Sequence, residues 1–316
     1  MDFLFKNCLF LAPMAGYSDA AYRRLLKSMG ADFSISEFVH SNAVLSGAIP
    51  VLERLRQAEN EGINGIQIFG SQPEKIAECA LYIEENFAPA FIDINFGCPA
   101  QNAVGANAGA ALLKTPEKMV QIIKTVSSAL KKTPLTAKMR TGFDSQHIIA
   151  KDIIPELAKA GAKMITLHGR TAKQGYTGPA DWDIIEECAE ICKVPLIGNG
   201  SVEKLSAEFL QHSKCYGFMI GRAALIDPWV FEKVKAKINN AEFCPPPEKA
   251  ALMLAKDYLI QCERDSFEMT KSKLTHLKAQ IVKFLKGARG FKQIRINLLK
   301  CETFEEITNL IYNEKL

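Results

Sequence analysis

The sequence predicts an α/β protein: a (β/α)8 TIM barrel followed by a small all-helical C-terminal domain. Three observations predict it. Short apolar runs alternate with amphipathic stretches over the first ~240 residues. The alternation yields eight candidate strands, spaced about thirty residues apart. It then stops at Cys244-Pro245-Pro246-Pro247, beyond which no strand pattern returns. An open doubly wound sheet is the alternative, but such sheets commonly hold about five to seven strands.

The first strand is Leu9–Ala12. It falls in the apolar stretch from Cys8 to Ala15, which is too short for the core and cleavage region of a signal peptide. The others are Phe33–Ser36, Gly65–Phe69, Phe91–Asn95, Leu135–Lys138, Met164–Leu167, Leu196–Gly198 and Phe218–Ile220. Helices are expected between them at Pro73–Asn86, Pro116–Lys131, Ile149–Ala160 and Glu203–His212. Pro73 and Pro116 suit a helix's first turn, with Ser71 and Thr115 as expected caps. Three consecutive prolines cannot continue a helix and make a stiff linker. The domains are therefore expected at 1–243 and 244–316. The second carries helical patterns at 248–265, 270–286, 290–299 and 303–313, with Gly287 and Gly290 as stops.

Composition narrows the function classes. With 48% apolar and 23% charged residues, the chain is neither disordered nor membrane-spanning. Its nine cysteines are scattered and include no CxxC, so reduced thiols in a cytoplasmic protein are expected, with no metal site. Residues 1–243 are electrically neutral, and the net +4 lies in the tail. Between Lys271 and Lys300 there are nine basic residues, Arg289 among them, and no acid. A polyanion is the partner such a run suits.

Barrel chemistry gathers where strands end. The residues there are Pro13-Met14-Ala15-Gly16, Glu37, Gly70, Asn95-Phe96-Gly97-Cys98-Pro99, Lys138-Met139-Arg140, His168-Gly169-Arg170, Gly198-Asn199-Gly200 and Gly221-Arg222. Asn199, Gly200, Gly221 and Arg222 suit a phosphate, because glycines let backbone N–H groups approach an anion. With a cation at Lys138 and an amide at Gln67, the set suits a phosphorylated planar cofactor, for which FMN is the natural candidate. Cys98 sits in an accessible turn. An unperturbed thiol, with a pKa of ~8.5, is mostly protonated near neutrality and can act as a general acid. His40, His147 and His212 read as structural.

The motifs Leu11-Ala12-Pro13-Met14-Ala15-Gly16, Asp93-Ile94-Asn95-Phe96-Gly97-Cys98-Pro99, Lys138-Met139-Arg140-Thr141-Gly142, Leu167-His168-Gly169-Arg170-Thr171, Gly198-Asn199-Gly200 and Met219-Ile220-Gly221-Arg222-Ala223-Ala224 run in order along the chain. As a set, the sequence resembles the tRNA-dihydrouridine synthases, in particular their bacterial, B-type-like branch. The resemblance implies FMN-dependent reduction of uridine in RNA, with tRNA as the expected substrate and NADPH or NADH as reductant. Hydride would pass from flavin N5 to uracil C6, and Cys98 would protonate C5. It implies that Pro13, Met14, Ala15, Gln67, Lys138, His168, Asn199, Gly200, Gly221 and Arg222 hold the cofactor. Asn95, Arg140 and Arg170 would meet the flipped base, and Lys271, Lys273, Lys278, Lys283 and Lys286 the RNA. A cytoplasmic monomer is expected. The chain departs from the family at Ser201, where an acid is common, and at Leu274-Thr275-His276, where a basic residue usually precedes the histidine. Ribosomal RNA as substrate, a flavin enzyme of free pyrimidines, and a non-catalytic RNA-binding barrel are the alternatives. The basic run argues against a small metabolite.

Overall fold

The computed structural model describes residues 1, 3–57, 60–99, 107–247, 249–264, 270–286 and 290–314. Gly287 and Arg289 lie outside this set, as do residues 248 and 265 at the limits of one expected helix. Nine strands are described: β1 Cys8–Leu11, β2 Phe33–Ile35, β3 Val39–His40, β4 Asn64–Phe69, β5 Phe91–Phe96, β6 Leu135–Arg140, β7 Met164–His168, β8 Leu196–Asn199 and β9 Gly217–Ile220. All pair in parallel, in the order β2-β1-β9-β8-β7-β6-β5-β4-β3, and a β2–β4 pairing closes the ring. Closure excludes the open sheet.

The ring has eight staves although it has nine strands. β2 pairs with the start of β4, Ser34 opposite Asn64, and β3 with its end, Val39 opposite Ile68. The register slips by one residue between these pairings, so β2 and β3 are one stave broken by a bulge at Ser36-Glu37-Phe38. The sequence shows only the first half, because two residues cannot display a period of two.

Inside the ring, Cys8, Phe10, Phe33, Phe91, Met164, Ile197 and Met219 form a closed core. The rings of Phe10 and Phe33 lie 4.8 Å apart. Burying each such ring contributes about 1.5–3 kcal/mol. A Cβ on Gly65 would stand 2.1 Å from the Phe91 ring, so this strand glycine makes room for it. Filled below, the barrel is left open for chemistry at the strand C-termini.

Outside the ring lie α1 Ala20–Ser28, α2 Ser41–Leu45, α3 Ile49–Leu55, α4 Pro73–Phe87, α5 Pro116–Ala129, α6 Ala150–Ala160, α7 Trp182–Ile191, α8 Ala207–His212, α9 Arg222–Ile226 and α10 Val230–Ile238. Two local expectations need correction. Gln72, not Ser71, occupies the N-cap of α4, and Thr115 caps α5 without a side-chain bond; both helices begin on proline. The helix expected at Glu203–His212 is split into a 3-10 turn at Val202–Lys204 and α8. Ser206 accepts from the Phe209 N–H and starts a new helix there.

After a stretch without helix or strand through Pro245-Pro246-Pro247 come α11 Ala250–Arg264, α12 Lys271–Phe284, α13 Lys292–Lys300 and α14 Phe304–Tyr312. A capping box between Thr303 and Glu306 opens α14. Leu259, Ile281, Leu298 and Ile307 are buried in a core continuous with the barrel's outer layer. The Arg24 guanidinium donates to the Gln261 side chain (2.9 Å) and carbonyl (2.6 Å), fixing α11 against α1. No described helix is long and apolar enough to cross a membrane.

Candidate active site

A cavity of about 500 Å3 opens at the C-terminal ends of the strands. Pro13, Met14, Asn95, Cys98, Lys138, Arg140, His168, Arg170, Asn199, Gly200, Gly221 and Arg222 all line it. The fold thus brings together side chains from six staves. Two expected residues do not line it. Ala15 is exposed, because the chain turns at Met14, whose N–H donates to Ser18 Oγ (2.9 Å). Gln67 is fully buried in β4, beneath the lining residues.

Gln67 belongs to a polar chain that ends at the backbone N–H of Cys98. Thr136 Oγ1 donates to Asp93 Oδ1 (2.6 Å), Gln67 Nε2 to Asp93 Oδ2 (2.6 Å), and Asn95 Nδ2 to Gln67 Oε1 (2.7 Å). Asn95 Oδ1 then accepts from the N–H groups of Gly97 (2.9 Å) and Cys98 (2.8 Å). Asn95 shapes the turn that carries Cys98, a role beyond the substrate contact expected of it. Gln67 retains one N–H and one lone pair. Burial raises the Asp93 carboxyl to about 6, against the bonds from Gln67 and Thr136 and the nearby Lys138 charge. Cys98 itself is half-buried and in no disulfide.

Cations surround this thiol. Burial, followed by the Arg140 charge, lowers Lys138 to about 8, with Asp93 opposing. The Lys138 ammonium has no hydrogen bond to any described residue. His168 is held well below its ordinary value by burial and then by Lys138, Arg140, Arg170 and Arg222, so it is neutral. An Arg170 nitrogen lies 3.2 Å from His168 Nε2. Arginine only donates, so Nε2 accepts and the proton is on Nδ1. Glu203 and Lys204 are at the rim and Asp93 below, two acids against the five cations Lys138, Arg140, Arg170, Lys204 and Arg222.

Arg140 and Arg170, expected at the base, are committed to backbone carbonyls. Arg140 donates to Gly97 (2.9 Å), Thr171 (2.9 Å) and Gly175 (2.8 Å). Arg170 donates twice to the Gly178 carbonyl (3.0 and 2.8 Å) and once to Ser201 Oγ (3.0 Å). Together they hold the loop after β7. That loop presents Tyr176, whose ring centroid lies 3.7 Å from the Arg222 guanidinium. Tyr176 is 54% exposed, lines the cavity, and was missed by the sequence reading. The available signal was an aromatic residue after a glycine in a strand-end loop.

At the ends of β8 and β9, Asn199 Nδ2 donates to the Met219 carbonyl (2.7 Å), tying the two strands together. Gly200 has φ +120°, and a Cβ there would stand 2.8 Å from Ala180. Gly221 differs. A Cβ on it would come no closer than 3.4 Å to its neighbours, so packing does not require this glycine. Its open backbone, followed by Arg222, suits an approaching anion.

The tail lysines differ from an open basic face. Lys273 pairs with Glu53 (2.9 Å), and Lys278 donates to the carbonyls of Leu299 (3.4 Å) and Cys301 (2.8 Å). Lys283 stands 3.5 Å above the centre of the Tyr17 ring. Three of the five expected RNA contacts are thus engaged within the molecule, because long stems fold back onto nearby acceptors and rings. Lys271 and Lys286 are exposed.

The dihydrouridine synthase family model matches residues 10–311. An Aquifex aeolicus protein named "Probable tRNA-dihydrouridine synthase" is 33% identical over 316 residues, covering 98% of this chain and 96% of its own. A Treponema pallidum protein of the same name is 31% identical, covering 97% and 92%. A Xenopus tropicalis protein, named as like a tRNA-dihydrouridine(47) synthase using NAD(P)(+), is 36% identical over 73% of this chain and 36% of its own. With a parallel eight-stave barrel, a thiol at the fourth stave's end and a family match spanning nearly its whole length, the chain belongs to the dihydrouridine synthase family.

Proposed function

We propose that the protein reduces specific uridines of tRNA to 5,6-dihydrouridine in the cytoplasm, with FMN as cofactor and NADPH or NADH as reductant. The observation that carries this reading is Cys98, whose backbone N–H is bonded to Asn95, at the edge of a cavity crowded with cations. The donor set fits an anionic cofactor, because the Lys138 ammonium makes no hydrogen bond to a described residue and Gly221 leaves its backbone open. Asn199, Gly200, Gly221 and Arg222 would hold a phosphate, Lys138 would meet the ring, Pro13 and Met14 would back it, and Gln67, buried beneath, would act only through Asn95.

Flavin held there would supply the two electrons, as hydride at uracil C6. Cys98 gives its proton to C5, and the thiolate left behind recovers one from solvent. Neutral His168 adds no charge to the site and offers its Nδ1 proton as a donor. The target uridine must leave its stack, at a cost of a few kcal/mol. Residues 1–243 would bind flavin and base, and residues 244–316 would contact RNA phosphates, with Lys271 and Lys286 as the exposed cations. The test is the flavin spectrum of the purified protein, with site-resolved mass spectrometry of RNA from cells lacking the gene. Loss of the two-hydrogen mass mark at defined tRNA positions is expected. A colourless protein with no loss in any RNA would overturn the reading, and loss confined to ribosomal RNA would overturn tRNA as substrate.

A further inference from the structure

Helix α9 has only five residues, too short to hold itself together, yet it begins with Arg222 at the phosphate end of the cavity. Most of its carbonyls have no partner within the helix. One of them, Ala224 O, accepts a 2.9 Å bond from the hydroxyl of Tyr22 on α1. Tyr22 is completely buried. Two rings of the helical tail fix it: Tyr258 at 6.3 Å, edge on, and Phe284 at 6.3 Å, stacked. Tyr258 also donates to Asp19 Oδ2 (3.0 Å), while Asp19 Oδ1 accepts the Tyr22 N–H (2.7 Å). Burial, with Asp19 next, holds the Tyr22 phenol well above 10, so it remains a donor at any working pH.

We infer that Tyr22, clamped by the tail, is a positioning residue for the phosphate end of the cavity: its hydroxyl fixes α9 and thereby Arg222. The tail is then part of the cofactor site's support as well as a surface for RNA. This inference rests on the proposed flavin site for its ligand, but its mechanical half does not.

Tyr22→Phe in the full-length protein removes the hydroxyl and keeps the ring. Flavin-free protein is titrated with FMN and, separately, with riboflavin, which lacks the phosphate. FMN affinity should fall about three- to tenfold, as for one lost hydrogen bond, with riboflavin affinity unchanged. Hydrogen exchange of the backbone across residues 221–227 should speed up by a similar factor without any ligand. Tyr258→Phe, which removes only the bond to Asp19, should leave the FMN-to-riboflavin ratio at the wild-type value. Equal loss of both flavins, loss of neither, or unchanged exchange would overturn the role of Tyr22. If the wild-type protein binds neither flavin, the cofactor reading fails. The exchange rate then decides alone: acceleration supports the positioning role and no change overturns it.

Discussion

Removing the Asn95 carboxamide should disable the thiol without touching it. Asn95→Ala deletes the acceptor of two backbone bonds, at 2.9 Å to Gly97 and 2.8 Å to Cys98, and takes from Gln67 Oε1 its 2.7 Å donor. Gln67 is fully buried, so that loss costs about 1–3 kcal/mol, while each half-exposed backbone bond contributes about 0.5–1.5 kcal/mol. The second contribution falls on the turn that carries Cys98. If about 1.4–2.8 kcal/mol of thiol placement is lost, uridine reduction slows about 10- to 100-fold. The assay is single-turnover reduction of RNA by pre-reduced enzyme, in a cycle of Asn95→Ala, Cys98→Ala and the double variant. Where Asn95 acts through the thiol, the double variant is no slower than Cys98→Ala. Additive losses would refute this reasoning and show that Asn95 acts on the substrate directly.

Lys138 should make anion binding depend on pH. Its charge is present below about 8 and lost as pH rises through that value, so FMN affinity should fall by up to about tenfold per pH unit above it. Fluorescence titrations of the wild type and Lys138→Met check this, and an equal slope in both would refute it. Glu84 should protect the fold against acid. Burial pushes its carboxyl up, but the N–H groups of Lys131 (2.9 Å), Lys132 (2.9 Å) and Thr133 (2.6 Å) outweigh it and hold it at about 2. The folded value is depressed, so its stabilisation is present above the ordinary 4.5 and is lost as pH falls towards 2. Urea midpoints of the wild type should drop across that window, and those of Glu84→Gln should drop less. In the tail, Lys271→Glu with Lys286→Glu should weaken RNA binding and reduce its log–log salt slope by about 2. Lys278→Ala should leave that slope unchanged and cost about 0.5–1.5 kcal/mol of stability, because this lysine caps carbonyls at the end of α13. A changed slope in Lys278→Ala would overturn the distinction.

Much of the architecture was legible because period and punctuation are local. All eight staves were placed, since runs such as Leu135–Lys138 and Met164–Leu167 fill a buried parallel sheet and stop at polar residues. Pro73 and Pro116 marked their helix starts correctly, whereas the capping bonds expected near them do not form. β3 is not legible because Val39–His40 is only two residues long and shows no period of its own.

The chemical inventory of the mouth is also sequential, because a strand end puts whatever follows it at the same rim. That much placed Cys98, Lys138, His168 and Arg222 around one cavity. What each group does there depends on partners distant in the chain, and no spacing encodes those. Gln67 and Asn95 form a bonded chain across two staves, and Arg140 and Arg170 bind a loop rather than facing the cavity unpaired. The charge run from Lys271 to Lys300 was countable in advance, yet Glu53, Cys301 and Tyr17 decide which of its lysines face water. Local pattern determines the elements and brings the residues to the rim. Orientation, protonation and pairing arise only when the ring closes and the tail docks, because hydrogen bonds and charge interactions act across a few ångströms of space, whatever the separation along the chain.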